Sequence, residues 1–418
     1  MLTPPRLKND CFALPPGVDW TPVDEALARL RGALLPVVAT EVLPLSKAEG
    51  RIVAKDLFAV RANPPGANSA VDGFGFAFAA IGPGDQSLPL IEGRAAAGAP
   101  YAGVVPNGAA IRILTGALLP KGVDTVVLEE DCATDGAHVA FAGDLKPGAN
   151  TRKAGEDVEA GGVILTQGSR LGPPEVAIAA ATGATEVTVY APLRVGVLST
   201  GTEIVPSSSD PAPAKTYDAN RPMLLALLRD WKIEAVDLGH VPDDRAALRA
   251  RLNDSEGQVD AILTSGGASA GDEDHVSALL AETGSLADWR IALKPGRPLA
   301  LGVWNGVPVF GLPGNPVAAL VCTMIFARPA FCLLSGAGWH RPQGFTLPAA
   351  FSKNKKPGRR EYLRARINAE GCAEVFKSEG SGRISSLAWA DGLVELEDGA
   401  QNIGPGDPVR YIPYASFR

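Results

Sequence analysis

Residues 259–276, VDAILTSGGASAGDEDHV, place an apolar run, a loop of Gly and Ser, and three acids in succession. The run "VDAILTSGG" is typical of a buried strand, and "EDHVSALLAE" is typical of a helix. Loop amides in front of a helix can bind an anion, whereas clustered carboxylates repel one another unless a cation lies among them. The stretch therefore predicts a strand, a ligand-binding loop and a helix of an α/β domain.

The same alternation of strand and helix continues on both sides of this stretch. "LRVGVLSTG" and "IEAVDLGHV" predict buried strands, followed by the helices "NRPMLLALLRDW", with Asn220 as N-cap, and "DDRAALRARLND". "VPVFGLPGN" predicts a further strand, which leads into an apolar helix. We therefore predict a parallel three-layer α/β domain that begins near residue 193.

The sequence outside this domain is mostly of the β type. Short apolar runs between Gly- and Pro-rich turns predict barrel-like or meandering β structure over about 35–190, and a small all-β domain after about 340. Two helices interrupt this pattern. "TPVDEALARLRGALLP" predicts a helix with Thr21 as N-cap, and "PPEVAIAAATGA" predicts a helix closed by Gly183.

Length and composition exclude several classes of protein. The chain has 418 residues, 46% hydrophobic and 20% charged, which indicates a globular protein with more than one core. Its net charge of −7 argues against nucleic acid as a partner. The five cysteines form no CxxC pair, which argues against a zinc site and fits a reducing cytoplasm. The segment "PVAALVCTMIFARPAFCLL" is interrupted by Arg328 and Pro329, so we expect no membrane span.

Acidic side chains follow three successive predicted strands. Ligands of parallel sheets bind at the carboxyl ends of strands. The acids there are Glu203 after the first strand, Asp243 and Asp244 after the second, and Asp272, Glu273 and Asp274 after the third. Any one group alone is more typical of a solvated loop. Three groups at neighbouring strand ends favour a cation, and Mg²⁺ with phosphate oxygens fits best.

Glycines and cations near these acids indicate a phosphate. Gly266, Gly267 and Gly271 allow close backbone approach, "GLPGNP" is a second such turn, and "ALKPGRP" supplies Lys294 and Arg297. The loop "SGGASAG" matches neither a P-loop nor GxGxxG, so a plain tight turn is an equal alternative. Local chemistry alone leaves "NSAVDGFGFA", "ILTGA" and "NTRKAGEDV" as ordinary turns.

These motifs occur together, in order and spacing, in one known family. "NSAVDGFGFA", "RILTGALLP", "TRKAGEDV", "VGVLSTGTEI", "YDANRP", "SGGASAGDEDHV", "LKPGRP" and "GLPGNPVAA" resemble the MoeA family of molybdopterin molybdenumtransferases, which is related to the C-terminal domain of gephyrin. The resemblance covers about residues 15–415.

The resemblance implies a multidomain α/β and β fold. The implied domains are an elongated helical and β domain over 15–55 and 158–190, an inserted β domain over 56–157, a molybdopterin-binding α/β domain over 191–337, and a C-terminal β-barrel-like domain over 338–418. It also implies a homodimer with the active site at the subunit interface, where the inserted domain of one subunit meets the α/β domain of the other.

The resemblance further implies the reaction and its residues. The family inserts molybdate into adenylylated molybdopterin with Mg²⁺ and releases AMP, and contact with the adenylyltransferase that supplies the substrate is possible. The implied catalytic residues are Asp72, Thr115, Asp157, Glu203, Asp243 and Asp274, the last three as Mg²⁺ ligands. The implied substrate-binding residues are Arg152, Ser265, Gly266, Gly267, Ser269, Gly271, Lys294, Arg297, Pro313, Gly314, Asn315, Arg364 and Ser381.

The chain departs from the family pattern at a few positions. Val71 stands where Met is usual, Phe74 where Tyr is usual, and Arg290 and Arg297 where Lys is frequent. The loss of the hydroxyl at Phe74 could alter a substrate hydrogen bond. Three alternatives stay open: a tungstate preference, a non-catalytic scaffold of the gephyrin kind, and an adenylyltransferase of the same α/β fold, against which the flanking β domains argue.

Overall fold

A computed structural model of the chain describes residues 20–209, 212–267, 275–282, 287–289, 291–296 and 299–418. The chain forms two compact units, one of Met1–Thr40 with Tyr190–Arg418 and one of Glu41–Val189. Residues 20–40 thus group with the α/β region, and the implied elongated domain over 15–55 and 158–190 stays a prediction.

Helix α1, Val23–Ala33, explains this grouping. Its buried residues Val23, Ala26 and Leu30 pack in the same hydrophobic core as the α/β helices. The helix begins one residue later than predicted, with Pro22 as N-cap. Thr21 instead forms a backbone bridge with Ile291, so it cannot take the predicted capping position.

The region from Thr40 to Tyr190 is mainly β structure. Its elements are β1 Thr40–Pro44, β2 Leu57–Phe58, β3 Asn68–Ser69, β4 Gly73–Phe76, β5 Asp85–Ala95, β6 Ala110–Ile113, β7 Thr125–Leu128, β8 Ala133–Thr134, β9 His138–Ala142, β10 Thr151–Arg152, β11 Val163–Leu165, helix α2 Pro173–Ala181 and β12 Glu186–Tyr190. Six strands form one sheet in the order β7-β4-β6-β5-β9-β8. Helix α2 is followed by Gly183 at φ +88°, which confirms the predicted stop.

The α/β region follows. Its elements are β13 Arg194–Thr200, β14 Ile204–Val205, β15 Thr216–Tyr217, helix α3 Asn220–Asp230, β16 Glu234–Val241, helix α4 Arg245–Asp254, β17 Ala261–Ser265, helix α5 His275–Glu282, β18 Ala287–Trp289, β19 Leu293–Lys294, β20 Leu299–Trp304, β21 Val307–Leu312, helix α6 Pro316–Cys322, a π-helical turn Thr323–Ala327 and helix α7 Arg328–Leu334. The central sheet has the order β16-β13-β17-β21-β20-β18.

The central sheet and the helices on its two faces form three layers, as predicted, but the sheet is mixed. Strands β16, β13, β17 and β21 are parallel to one another, whereas β20 runs antiparallel to both of its neighbours, β21 and β18. The cause is a two-residue hairpin between β20 and β21, in which Asn305 and Gly306 both have positive φ. One hydrophobic core contains α1, α3, α6 and α7, and a second contains α4 and α5. The multidomain α/β and β fold class is confirmed.

The apolar segment Pro316–Leu334 is one helical run and not two short pieces. It is the helix in the described part of the chain that is long and apolar enough to cross a membrane, but 94% of its most apolar window is buried inside the protein. Arg328 does not interrupt it, because its Nε donates to the carbonyl of Phe417 at 2.6 Å. Pro329 lacks the N–H of a regular turn, and the π-helical turn precedes it.

The C-terminal region contains β22 Phe345–Pro348, β23 Lys353–Lys355, β24 Arg360–Ile367, β25 Ala373–Val375, helix α8 Ser385–Trp389, β26 Gly392–Leu396, β27 Gln401–Ile403 and β28 Pro408–Pro413. Its main sheet has the order β19-β24-β26-β28-β22. Strand β19 therefore joins the C-terminal sheet although it lies in the α/β part of the sequence. Short 3-10 turns complete the helical structure at Leu45–Lys47, Phe78–Ala80, Glu129–Asp131 and Tyr414–Phe417.

Candidate functional site

A cavity of about 440 Å³ lies at the carboxyl ends of β13, β17 and β21. This is the edge of the sheet at which parallel folds bind ligands. The predicted site residues that line the cavity are Glu203, Ser265, Gly266, Gly314 and Asn315. The structure therefore brings together parts of three motifs that are far apart in the sequence.

The two glycine turns of the cavity depend on close backbone packing. Gly266 has φ +98°, and a Cβ there would lie 2.7 Å from the carbonyl oxygen of Thr200. Gly267 has φ +66°, and its Cβ would lie 2.9 Å from a methyl group of Val276. A Cβ on Gly314 would lie 4.0 Å from the Cα of Gly266, so the turns after β17 and β21 meet. Geometry therefore requires glycine at Gly266 and Gly267, whereas Gly314 has room for a side chain.

Asn220 ties these two turns together. Its Nδ2 donates to Ser265 Oγ at 2.8 Å and to the carbonyl of Gly314 at 2.7 Å. The prediction that it caps α3 is wrong, because Ala219 is the N-cap and the Asn220 side chain is used in these long-range bonds. Its Oδ1 and the Oγ of Ser199 are buried with no hydrogen-bond partner among the described residues. Such atoms are normally paired, which indicates that a ligand or water completes the site.

Glu203 folds back over the turn that follows β13. Its Oε2 would lie 2.6 Å from a Cβ on Gly201, which has φ +137°. The residue between them, Thr202, donates its N–H to Asp243 Oδ2 at 2.7 Å. The Thr202 hydroxyl in turn accepts from the Asp243 amide at 3.1 Å. Asp243 therefore lies beside the Glu203 turn, as predicted, although it does not line the cavity.

Two other acids differ from the sequence prediction. Asp244 is the N-cap of α4 and accepts the N–H of Ala247 at 2.7 Å, so it has a structural role.

Asp218, which the acid pattern missed, lines the cavity and is 9% exposed. Arg221 pairs with Asp218 at 3.0 Å and with Asp237 at 2.8 Å. Burial raises the pKa of Asp237, but hydrogen bonds from Arg221 and Gly239 outweigh it and lower that pKa.

The predicted cation Lys294 is engaged with carboxylates. Its Nζ lies 2.6 Å from Oε2 of Glu379 and 3.5 Å from Oε1 of Glu361. Lys294 does not line the cavity, but its turn is close to α6: a Cβ on Gly296 would lie 3.7 Å from the Cβ of Ala318.

Arg364 and Ser381 belong to the same neighbourhood. The buried Arg364 guanidinium donates to the carbonyls of Ser378 at 2.5 Å and Gly380 at 3.3 Å, and to Ser386 Oγ at 3.0 Å. Burial lowers the pKa of this guanidinium. The carbonyl of Ser381 accepts the N–H of Val317 in the first turn of α6 at 3.2 Å. Arg364 therefore holds a loop against the helix that begins at the cavity.

The 41–189 unit holds the other predicted residues on exposed turns. Asp72 Oδ1 accepts the Thr115 amide at 2.7 Å and the Thr115 hydroxyl at 2.6 Å. These bonds lower the pKa of the Asp72 carboxyl. Asp157 Oδ2 accepts from Asn63 Nδ2 at 2.9 Å. Arg152 is exposed on β10. Each acid is thus bonded to a partner within the same unit.

Val71 and Phe74 are positions where the sequence departs from the family pattern: Phe74 lies in strand β4, and Val71 lies in the bend before it. Val71 packs against a small core that contains Ile113 and Val126. Phe74 is 3% exposed, and the Arg112 guanidinium lies 5.3 Å from its ring centroid. Position 74 is therefore a core position.

Several predictions concern residues outside those that the structure describes. These are Ser269, Gly271, Asp272, Glu273, Asp274, Arg290 and Arg297. Pro313 is described and lies in the turn before Gly314 without lining the cavity. Within the described ranges, no group of three or more His, Cys, Asp or Glu side chains is close enough to hold a metal ion.

Comparison with known proteins gives a consistent match along the chain. Three family profiles match: the MoeA N-terminal region (domain I and II) over 21–183, a probable molybdopterin binding domain over 196–332, and the MoeA C-terminal region (domain IV) over 346–414.

Individual relatives cover nearly the whole chain. A molybdopterin molybdenumtransferase of Haemophilus influenzae is 35% identical over 94% of this chain and 98% of its own. Molybdopterin molybdenumtransferase 2 of Mycobacterium tuberculosis is 33% identical over 88% and 93%. The crystal structure of a molybdopterin biosynthesis moeA protein from Pyrococcus horikoshii superposes with a TM-score of 0.82, at 27% identity over 95% and 100%.

Proposed function

Because this chain belongs to the MoeA family and is a molybdopterin molybdenumtransferase of molybdenum cofactor biosynthesis, we propose that it inserts molybdate into adenylylated molybdopterin and releases AMP. The cavity at the ends of β13, β17 and β21 is the single observation that carries this proposal. It combines backbone turns for phosphate with carboxylates at its wall. We also propose that the reaction takes place in the cytoplasm.

The turns of the cavity would bind the phosphates of the substrate. Gly266 and Gly314 leave the backbone open to a ligand, and Asn220 fixes their spacing. Lys294 is the described cation of the "LKPGRP" motif, and the turn that follows it lies beside α6, so Lys294 would pair with a phosphate once released from its carboxylate partners. In this proposal the chain holds the anhydride in the orientation that the reaction needs, which lowers the entropic part of the activation barrier.

The described carboxylates fit a Mg²⁺ ion. Magnesium is usually held by one or two carboxylates plus substrate phosphates, and its remaining positions keep water. Glu203 at the cavity wall and Asp243 beside its turn supply that donor set, with Asp274 as the predicted third acid. Bound Mg²⁺ would neutralise charge on the phosphoryl oxygens as AMP leaves.

In a homodimer, the exposed residues of the 41–189 unit would contribute to the same active site. We propose that Asp72, Thr115, Arg152 and Asp157 reach the cavity of a partner subunit, so that the active site lies at the subunit interface. Molybdate is a tetrahedral dianion, for which the Arg152 guanidinium is a suitable donor. Contact with an adenylyltransferase would deliver the substrate directly.

The proposal is tested by AMP release from adenylylated molybdopterin, with purified protein, Mg²⁺ and either molybdate or tungstate. We expect release that needs both the oxyanion and Mg²⁺ and that yields active cofactor. Faster turnover with tungstate would show that the protein prefers tungstate to molybdate, and the proposed reaction would still stand. No release by folded, dimeric protein would contradict the proposal and favour a gephyrin-like scaffold.

A further inference from the structure

Two lysines and two glutamates form a closed ionic cluster around Lys294. We call Lys294, Lys353, Glu361 and Glu379 the lysine–glutamate cluster. Lys294 contacts one oxygen of each glutamate, at 2.6 Å for Glu379 and 3.5 Å for Glu361. Lys353 contacts the other oxygen of each, at 2.9 Å for Glu361. The four formal charges cancel, so Lys294 is fully neutralised when no ligand is bound.

The members of the cluster differ in how easily they can move. The Glu379 side chain is 45% exposed, whereas those of Glu361 and Lys353 are 9% and 11% exposed. Glu379 can turn into solvent at little cost, while the other pair would lose its partners inside the protein. If Glu379 leaves, Lys353 still neutralises Glu361. Lys294 then keeps only the contact at 3.5 Å and is free to bind another anion.

The backbone that carries Glu379 is fixed and touches the edge of the cavity. Arg364 binds the carbonyls on both sides of it, those of Ser378 and Gly380. Two residues later, the Ser381 carbonyl accepts from Val317, next to the cavity residue Pro316. The Glu379 side chain can therefore move while the loop stays in place. Its departure exposes Lys294 close to the start of α6.

We propose that Glu379 is a displaceable counter-ion of Lys294 that makes the site selective for a multiply charged phosphate, an inference that rests on the proposed phosphate-binding role of Lys294. An anion with a single charge replaces one carboxylate by an equal charge and gains nothing. A diphosphate brings more charge to the same ammonium group and gains from the exchange. Glu379 is thus a specificity-determining residue, and Lys353 positions Glu361 so that it does not retain Lys294.

The experiment is calorimetric titration of the full chain with inorganic pyrophosphate, in the presence and absence of acetate. We expect Glu379→Gln to bind pyrophosphate about tenfold more tightly than the wild type. We also expect acetate to compete for the site in Glu379→Gln and not in the wild type. Glu374→Gln is the matched control, because it makes the same charge change at a half-buried residue paired with Arg366 at 2.9 Å. Glu379→Ala provides a second variant.

The outcomes separate this inference from the proposed function. If Lys294→Met binds pyrophosphate as the wild type does, the phosphate-binding role of Lys294 is wrong. If Lys294→Met weakens binding but neither Glu379 variant binds more tightly than Glu374→Gln, only the counter-ion proposal is overturned. Absence of binding by the wild type and by both Glu379 variants would also overturn it, whereas AMP release would still decide the reaction.

Discussion

The α/β cavity and the exposed turns of the 41–189 unit hold their polar side chains in different ways. In the cavity the bonded side chains are buried, as when Asn220 connects Ser265 with Gly314. In the 41–189 unit Asp72 accepts two bonds from Thr115, and both residues are exposed. The first region is a preformed concave site. The second is an exposed polar surface, which the proposal assigns to the cavity of a partner subunit.

The largest expected effect is on the chemistry of the cavity. Glu203→Gln should reduce AMP release by about a hundredfold or more, because it removes a charge that, in the proposed reaction, faces the phosphates and their Mg²⁺. The measurement is turnover of adenylylated molybdopterin at saturating Mg²⁺. Glu397→Gln, at an exposed position, is the control. If Glu203→Gln turns over at the wild-type rate, the Glu203 carboxylate has no part in the reaction.

A smaller loss is expected when the Glu203 carboxylate is displaced without being removed. Gly201→Ala places a Cβ against that carboxylate and should reduce turnover about tenfold, with about 1–2 kcal/mol lost in stability. Gly358→Ala is the control: its φ of +107° is also positive and far from the left-handed helical value, with nothing within 4 Å. It should lose stability and keep its turnover. Equal turnover loss in both variants would show that backbone strain alone is responsible.

The bonds of Asn220 predict a change in stability. Asn220→Ala leaves the Gly314 carbonyl and Ser265 hydroxyl without their buried donor and should lower the free energy of unfolding by about 2 kcal/mol. Denaturant titration followed by fluorescence measures it. Asn354→Ala, at an exposed strand position, should change it by about 0.5 kcal/mol at most. An unchanged free energy of unfolding in Asn220→Ala would mean that other contacts hold the turns of the cavity.

The smallest effect concerns Asp72. Thr115→Val removes one of the two bonds that lower the pKa of the Asp72 carboxyl, so that pKa should rise towards its ordinary value of 3.8. The stability that this group contributes is present above pH 3.8 and is lost as pH falls through its lower folded pKa. NMR titration of the carboxyl measures the shift, and Thr115→Ser should restore it. An unchanged pKa in Thr115→Val would show that the amide bond alone sets it.

The sequence predicted local structure well wherever a periodic pattern was decisive. The alternation of apolar strands and helices after residue 193 led to the correct three-layer region, and Gly183 marked the end of α2. The antiparallel strands were missed although "NG" at 305–306, a strong hairpin signal, was present. The error came from reading the region as a uniform strand and helix repeat.

The site was less predictable because its decisive contacts are long-range. Asn220 and Asp244 both stand before helices, yet only Asp244 caps one. Nothing local distinguishes them, since the partners of Asn220 are Ser265 and Gly314, far along the chain. Asp218 and Glu379 were missed for the same reason. The motif "YDANRP" and the neighbouring Ser381 were noted, but burial and ionic partners depend on the assembled fold.

The most direct test of the central claim is complementation between two inactive variants, Glu203→Gln in the cavity and Asp72→Asn in the 41–189 unit. The two proteins are co-refolded or co-expressed to form mixed dimers, and AMP release is compared with each variant alone. If the two regions act across a subunit interface, each mixed dimer has one intact site, and a random mixture should recover about a quarter of wild-type turnover. Recovery no greater than the activity of the separate variants, with mixed dimers present, would contradict the account.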